Sequence, residues 1–306
     1  FCNVLPEAVI QSKDVSTIYE VPLKIQEQHI DSIILKKVGL SPDDTKSDLT
    51  KWKSFLNMLK SSNEIVEIGL VGKYVELQDA YKSISEALFQ AATYNKHKLK
   101  LVYIHSENID AINVEEQLKD MDGIVIAPGF GQRGIEGKFV ALKYAREHNI
   151  PTFGICLGMQ CMVIEYARNV LGLHQANSTE MDPKTKQNVI DLMESQKAIT
   201  DKGGTMRLGA YRCDLVPNSL VLKAYEKSTI YERHRHRYEF NNNYKAEYEA
   251  AGMKVAGINP ESDLVEIVEV PTLKWYVGTQ FHPEYTSTVE HPHPLFVSFI
   301  NAAIKN

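Results

Sequence analysis

The sequence predicts an α/β protein: a mainly parallel central sheet flanked by helices, with a short helical N-terminal arm. From residue 64 onward, short apolar runs alternate with stretches of helical periodicity across brief loops, the pattern of strand–helix–strand units. Within this alternation, Ile150-Pro-Thr-Phe-Gly-Ile-Cys156-Leu-Gly-Met-Gln160 reads as strand, sharp turn and helix with a cysteine at the tip. That is a nucleophile elbow carrying Cys in place of Ser. Ligands in open α/β sheets bind beyond the carboxyl ends of the strands, which is where the elbow puts Cys156.

Residues 1–60 read differently. Asp14-Val-Ser-Thr caps an expected helix running to about Gln28, kinked or broken at Pro22. A second helix is expected over 31–38, stopping at Gly39, then a polar linker over 41–48. A third spans 49–59, with Trp52, Phe55, Leu56 and Leu59 on one face. This is too little apolar surface for an independent domain, so the chain divides into 1–60 and a globular 61–306. In the latter, strands are expected at 65–71, 98–104 and 123–127, and helices at 80–93, 114–119 and 138–148. The elbow strand and its helix follow. Strands at 203–208, 219–222, 231–240, 254–256 and 265–269 are expected to extend the sheet beside a buried strand at 275–281.

Apolar content of 43% and charged content of 24% are those of an ordinary globular chain. A net charge of −5 supplies no basic field for nucleic acid or an anionic membrane. No apolar run reaches the ~20 residues of a membrane span. The first residues form no signal peptide and include no initiator Met, so the chain is expected to begin inside a longer protein. Four cysteines without paired spacing argue against a disulfide framework or zinc site and for a reducing, cytoplasmic setting.

The chemistry starts at Cys156. Glycines on either side leave room around a nucleophile on a tight turn, and the N-terminus of the following helix favours the thiolate. Cys161 reads as a small buried hydrophobe. A thiol near its ordinary pKa of ~8.5 needs a base. His282 ends the buried strand at 275–281, and Glu284 follows two residues later across Pro283. The carboxylate can fix the imidazole tautomer and stabilise the imidazolium. A Cys156–His282–Glu284 triad is the leading reading. Gly72-Lys73-Tyr74 lacks the spacing of a phosphate-binding loop. Arg233-His-Arg-His-Arg237 alternates as a strand does, which puts Arg233, Arg235 and Arg237 together on a solvated face.

GICLGMQ and QFHPEY are shared across the class I (triad) glutamine amidotransferases. In order, KDVSTIYEVPL, VGKYVELQDAYKSI, GFGQRGIEGK, ANSTEMD, GGTMRLGA and ERHRHRYEFNNN resemble the CTP synthase family over almost the whole chain. The resemblance implies the glutaminase domain over 61–306, preceded over 1–60 by the tail of the synthetase (amidoligase) domain and a linker. It implies L-glutamine as substrate, with Cys156, His282 and Glu284 catalytic and Gly129, Leu157, Gly158, Met159, Gln160, Glu180 and Arg237 binding glutamine. A guanidinium fork at Arg237 suits a carboxylate, and Glu180 suits an ammonium group. No metal or cofactor is implied for glutamine hydrolysis. The full enzyme would use ATP and Mg²⁺ with GTP as activator, pass ammonia to its own synthetase domain for amination of UTP, and assemble as a cytoplasmic tetramer.

One departure bears on mechanism. The family commonly shows Val-Pro-Gly-Gly-Phe-Gly where this chain has Ile126-Ala127-Pro128-Gly129-Phe130-Gly131. Proline has no N–H, so the backbone amides of Gly129 and Leu157 are the expected oxyanion donors. The glycine-rich loop 130–137 is expected to act as a lid. The competing readings are a glutaminase of another amidotransferase such as a GMP or anthranilate system, a γ-glutamyl peptidase, and a regulatory or filament-forming module without catalysis.

Overall fold

The computed structural model describes residues 3–41, 47–192 and 206–304. Most of the expected linker at 41–48 and half of the expected strand at 203–208 lie outside these residues. The chain separates into two compact units, Phe1–Ser62 and Asn63–Asn306.

The first unit contains helices α1 (Val21–Gln26), α2 (Ile30–Lys37) and α3 (Thr50–Ser61). The helix expected to run to about Gln28 is not continuous. Thr17 caps a 3-10 turn over Ile18–Glu20, and Pro22 sits in the first turn of α1, where its missing N–H breaks no helical bond. Trp52 Nε1 donates to the Tyr19 carbonyl at 2.6 Å. Phe55 and Leu56 are buried, and the Tyr19 and Phe55 rings lie 5.2 Å apart.

The second unit contains strands β1 (Glu64–Gly72), β2 (His97–His105), β3 (Gly123–Ile126), β4 (Thr152–Ile155), β5 (Asn177–Ser178), β6 (Asn188–Leu192), β7 (Arg207–Leu215), β8 (Thr229–His236), β9 (Tyr238–Phe240), β10 (Lys254–Asn259), β11 (Leu264–Glu269) and β12 (Tyr276–Thr279). Its helices are α4 (Lys82–Tyr94), α5 (Val114–Leu118), α6 (Ile135–Glu147), α7 (Leu157–Asn169), α8 (Leu220–Tyr225), α9 (Lys245–Ala251) and α10 (Pro294–Ala303). Nine strands form one sheet in the order β2-β1-β3-β4-β12-β11-β10-β7-β8. The first five run parallel, and the other four continue the sheet antiparallel. β5, β6 and β9 form a second, smaller sheet.

Alternation along the central strands feeds two cores. Ile124 and Ile126 of β3 join the α5, α6 and α7 side, with Leu118, Leu142 and Val163. Val125 joins the α4 and α10 side, with Leu88, Phe296 and Phe299. Each such large side chain contributes roughly 1.5–3 kcal/mol by leaving water.

The segment expected as a strand at 219–222 is helical. Ser219 caps α8 through the Leu222 amide, and Glu269, 49 residues away in sequence, accepts from Leu220 N at 3.0 Å. A short apolar run does not distinguish strand from helix, and here a distant carboxylate supports the helix end. The strand expected over 231–240 is split at Arg237 into β8 and β9, which belong to different sheets.

Candidate active site

Cys156 lies between the end of β4 and the start of α7, with φ 53° and ψ −106°. A non-glycine residue there carries strain on the order of 1–3 kcal/mol. Both of its peptide groups are held. Its N–H donates to Thr279 O at 2.7 Å, and its carbonyl accepts from Gln160 N at 3.1 Å. The flanking glycines have a different physical reason from the one the sequence suggests. A Cβ on Gly154 would lie 2.4 Å from Met162 Sδ, and one on Gly158 would lie 2.1 Å from Ile126 O. They let helix and strands close beneath the turn. The amides at the start of α7 have no intrahelical acceptor and stand at the sulfur's end of the helix.

The parallel register sets Gly278 of β12 beside Gly154 and Thr279 beside Ile155, so the chain leaving β12 arrives at the elbow. His282 and Cys156 line the same cleft, and the His282 Nδ1–H donates to Glu284 Oε1 at 2.8 Å. All three side chains are buried. Burial works against charge on His282, but its interactions with Cys156 and Glu284 outweigh that and raise its pKa well above the ordinary value. Tyr285 stacks on the ring, 5.0 Å between centroids. Cys161, by contrast, is wholly buried, and desolvation pushes its thiol up to about 11, as expected of an inert core cysteine.

Two clefts meet at Cys156, Gly129 and Phe130. The first is lined also by Leu157, Gln160, Glu180, His236, Arg237 and Tyr238. It sets a carboxylate and a guanidinium in one wall, complementary to the ammonium and carboxylate of an amino acid. The second adds Tyr74, Tyr81, Pro128, Arg235, His282 and Tyr285. Of the residues expected to bind glutamine, Gly158 and Met159 line neither cleft. Gly158 packs against the β3 carbonyl and Met159 is wholly in the core, because the helix turns both positions away from the opening.

The loop at 130–137 is tied down. Gly131 N donates to Glu180 Oε1 at 3.0 Å, Gln132 Nε2 donates to the Met181 carbonyl, and Lys73 Nζ donates to Phe130 O. Lys73, in a stretch without the spacing of a phosphate-binding loop, thus holds the loop at 130–137. Fully buried Lys138 donates to Ala127 O at 2.7 Å, just before the Pro128-Gly129 turn.

Arg233 and Arg235 are exposed, as the alternation implies, whereas Arg237 enters the first cleft. The other face of that strand was not foreseen. His234 and His236 are buried with Arg207, Glu239 and Glu266. Arg207 donates to Glu266 Oε1 at 2.6 Å, and the two imidazoles bond each other at 2.9 Å. Ligand atoms of His234, His236 and Glu266 lie within 4.8 Å of one another, but the guanidinium on Glu266 opposes a metal cation there. Burial, with Arg207 nearby, lowers His236 to about 3. Burial also raises Glu239 to about 8 and Glu266 to about 7.

These shifts make a prediction. His236 is neutral when folded and charges on unfolding, so its contribution to stability is full above the ordinary histidine value and is lost as pH falls toward about 3. The two carboxyls pull the opposite way, so the measurement is a difference. In chemical denaturation the stability gap between wild type and His236→Asn should shrink by roughly 2 kcal/mol from pH 6.5 to 5. A gap independent of pH would remove the argument.

The model of the glutamine amidotransferase class-I family matches residues 76–302, and the chain belongs to that family. Within it, the similarity is to the glutaminase domain of CTP synthases. The Trypanosoma brucei CTPS glutaminase domain with bound acivicin superposes with a TM-score of 0.73 at 37% identity, covering 78% of this chain and 93% of that one. A CTP synthase of Bacteroides fragilis is 68% identical over 304 residues, 99% of this chain and 57% of the relative. The chain therefore spans little more than half the length of that curated relative. A putative GMP synthase component from Thermoplasma acidophilum shares the fold at 17% identity and a TM-score of 0.50, covering 79% of this chain and 95% of that one. Among the described residues no helix is long and apolar enough to cross a membrane.

Proposed function

We propose that this chain is the glutamine-hydrolysing part of a CTP synthase. The observation that carries the reading is the buried Cys156–His282–Glu284 array opening on a cleft walled by Glu180 and Arg237. Glutamine binds with its ammonium group toward Glu180 and its carboxylate on Arg237, so that its side-chain amide lies over the sulfur. The Cys156 thiolate attacks the amide carbon and a C–S bond forms. The amides of Leu157 and Gly129 receive the oxyanion. His282 gives its proton to the leaving nitrogen, the C–N bond breaks and ammonia departs. Water then loses a proton to His282 and attacks the thioester carbon. The C–S bond breaks, releasing glutamate and restoring the pair.

By the same reading, residues 1–60 are the tail of the synthetase domain and its linker. The remainder of that domain receives the ammonia and aminates UTP with ATP and Mg²⁺. GTP activates, through the loop at 130–137, and the whole enzyme is a cytoplasmic tetramer. The chain alone should release ammonia from L-glutamine in preference to γ-glutamyl peptides. Acivicin, the compound bound in the trypanosome domain, should modify Cys156 by intact mass and peptide mapping. Absence of both ammonia release and modification would favour a module without catalysis.

Arg237→Lys keeps the charge but loses the bidentate fork. We expect a higher KM for glutamine and a kcat/KM lower by roughly tenfold to a hundredfold. Steady-state kinetics with an unchanged kcat/KM would move Arg237 out of substrate binding.

A further inference from the structure

Gln280 follows β12 directly and lies two residues before His282. It is wholly buried. Its Nε2 lies 3.7 Å from Cys156 Sγ in donor geometry. Which end of the amide faces the sulfur follows from a chain of bonds. Gln160 Nε2 donates to the Tyr238 carbonyl at 2.8 Å, a group that can only accept, and this fixes the Gln160 amide. The same NH₂ donates to Gln280 Oε1 at 3.2 Å, which turns the Gln280 NH₂ toward the sulfur. Arg235 O, 4.0 Å from Sγ, is a partner for the protonated thiol only.

We propose that Gln280 is a catalytic residue that donates an N–H to the Cys156 thiolate. Gln160 is its positioning residue, which keeps the Gln280 amide from flipping and couples the Arg237–Tyr238 turn of the substrate cleft to the nucleophile. This rests on reading Cys156 as the nucleophile. Attack on carbon removes charge from sulfur, so the donor acts before attack. It holds Sγ in one direction and raises the fraction in the reactive form. Its mark is the pH at which the sulfur reacts and the value of kcat, with little change in KM.

The test compares wild type, Gln280→Met and Gln160→Met, each of which keeps side-chain length and apolar packing. The rate of Cys156 alkylation by iodoacetamide is followed against pH, with a thermal midpoint for each protein. In Gln280→Met the profile should move to higher pH by about one unit, a tenfold change in reactive fraction. Its kcat/KM for glutamine should fall by about tenfold to a hundredfold at near-normal KM. Gln160→Met should shift the profile in the same direction by less. A folded Gln280→Met whose alkylation profile superimposes on wild type overturns the proposal. If that variant does not fold, an unshifted profile in Gln160→Met overturns it instead. A wild-type chain that never releases ammonia, alongside the expected shift in the variants, would sink the glutaminase reading and leave the Gln280 assignment standing.

Discussion

Cys156→Ala should lower glutamine hydrolysis by at least ~10⁴-fold, since removing the nucleophile of a catalytic triad costs on the order of 10⁶ in kcat. The sulfur sits at the one strained residue of the elbow, at the head of α7 and against His282. Of the other cysteines among the described residues, Cys161 and Cys213 are fully desolvated and pushed up by burial, so neither can substitute. In a full-length protein the same change should abolish CTP formation from glutamine and leave CTP formation from free ammonia intact. Both rates can be read by following UTP conversion chromatographically with each nitrogen source. Loss of the ammonia-dependent rate as well would contradict the division between glutaminase and synthetase.

Glu284→Gln should cost roughly 10³–10⁴-fold in kcat. The carboxylate oxygen 2.8 Å from His282 Nδ1 accepts only. An amide of the same shape can present its NH₂ there instead and select the other tautomer, the failure seen when a triad carboxylate is neutralised. The pH dependence has a definite sign. Burial disfavours charge on His282, and its interactions with Cys156 and Glu284 raise its pKa above the unfolded value. Its contribution to stability is thus full below ~6.5 and is lost as pH rises through the folded value. Glu284→Gln should therefore depress the thermal midpoint more at pH 6 than at pH 9. An equal depression at both, with kcat within tenfold of wild type, would remove Glu284 from the triad.

The elbow and the parallel strands were legible because their signals are local. Glycines two residues before and after Cys156 mark a close helix–strand approach, and apolar alternation marks β1 to β4. What escaped the sequence depends on distant groups. Residues 219–222 became helical with Glu269 at the helix end. The alternation of residues 233–237 exposed Arg233 and Arg235 correctly, but it could not reveal that His234 and His236 meet Arg207, Glu239 and Glu266, which come from other strands. The same holds for Gln280. It opens the QFHPEY stretch beside His282, but its own role does not show there, because only the pairing of β12 with β4 brings it to the sulfur.

Between His236 and Tyr238 the chain passes from the large sheet to the small one, with Arg237 at the crossing. The acid and base that would grip an amino acid therefore stand on different footing from the sulfur and imidazole, which belong to the large sheet alone. Drift in the loops and edges of the small sheet can alter which molecule is held while the reactive centre keeps its geometry. Lineages built on this plan can change their appetite for a substrate without reinventing the chemistry performed on it.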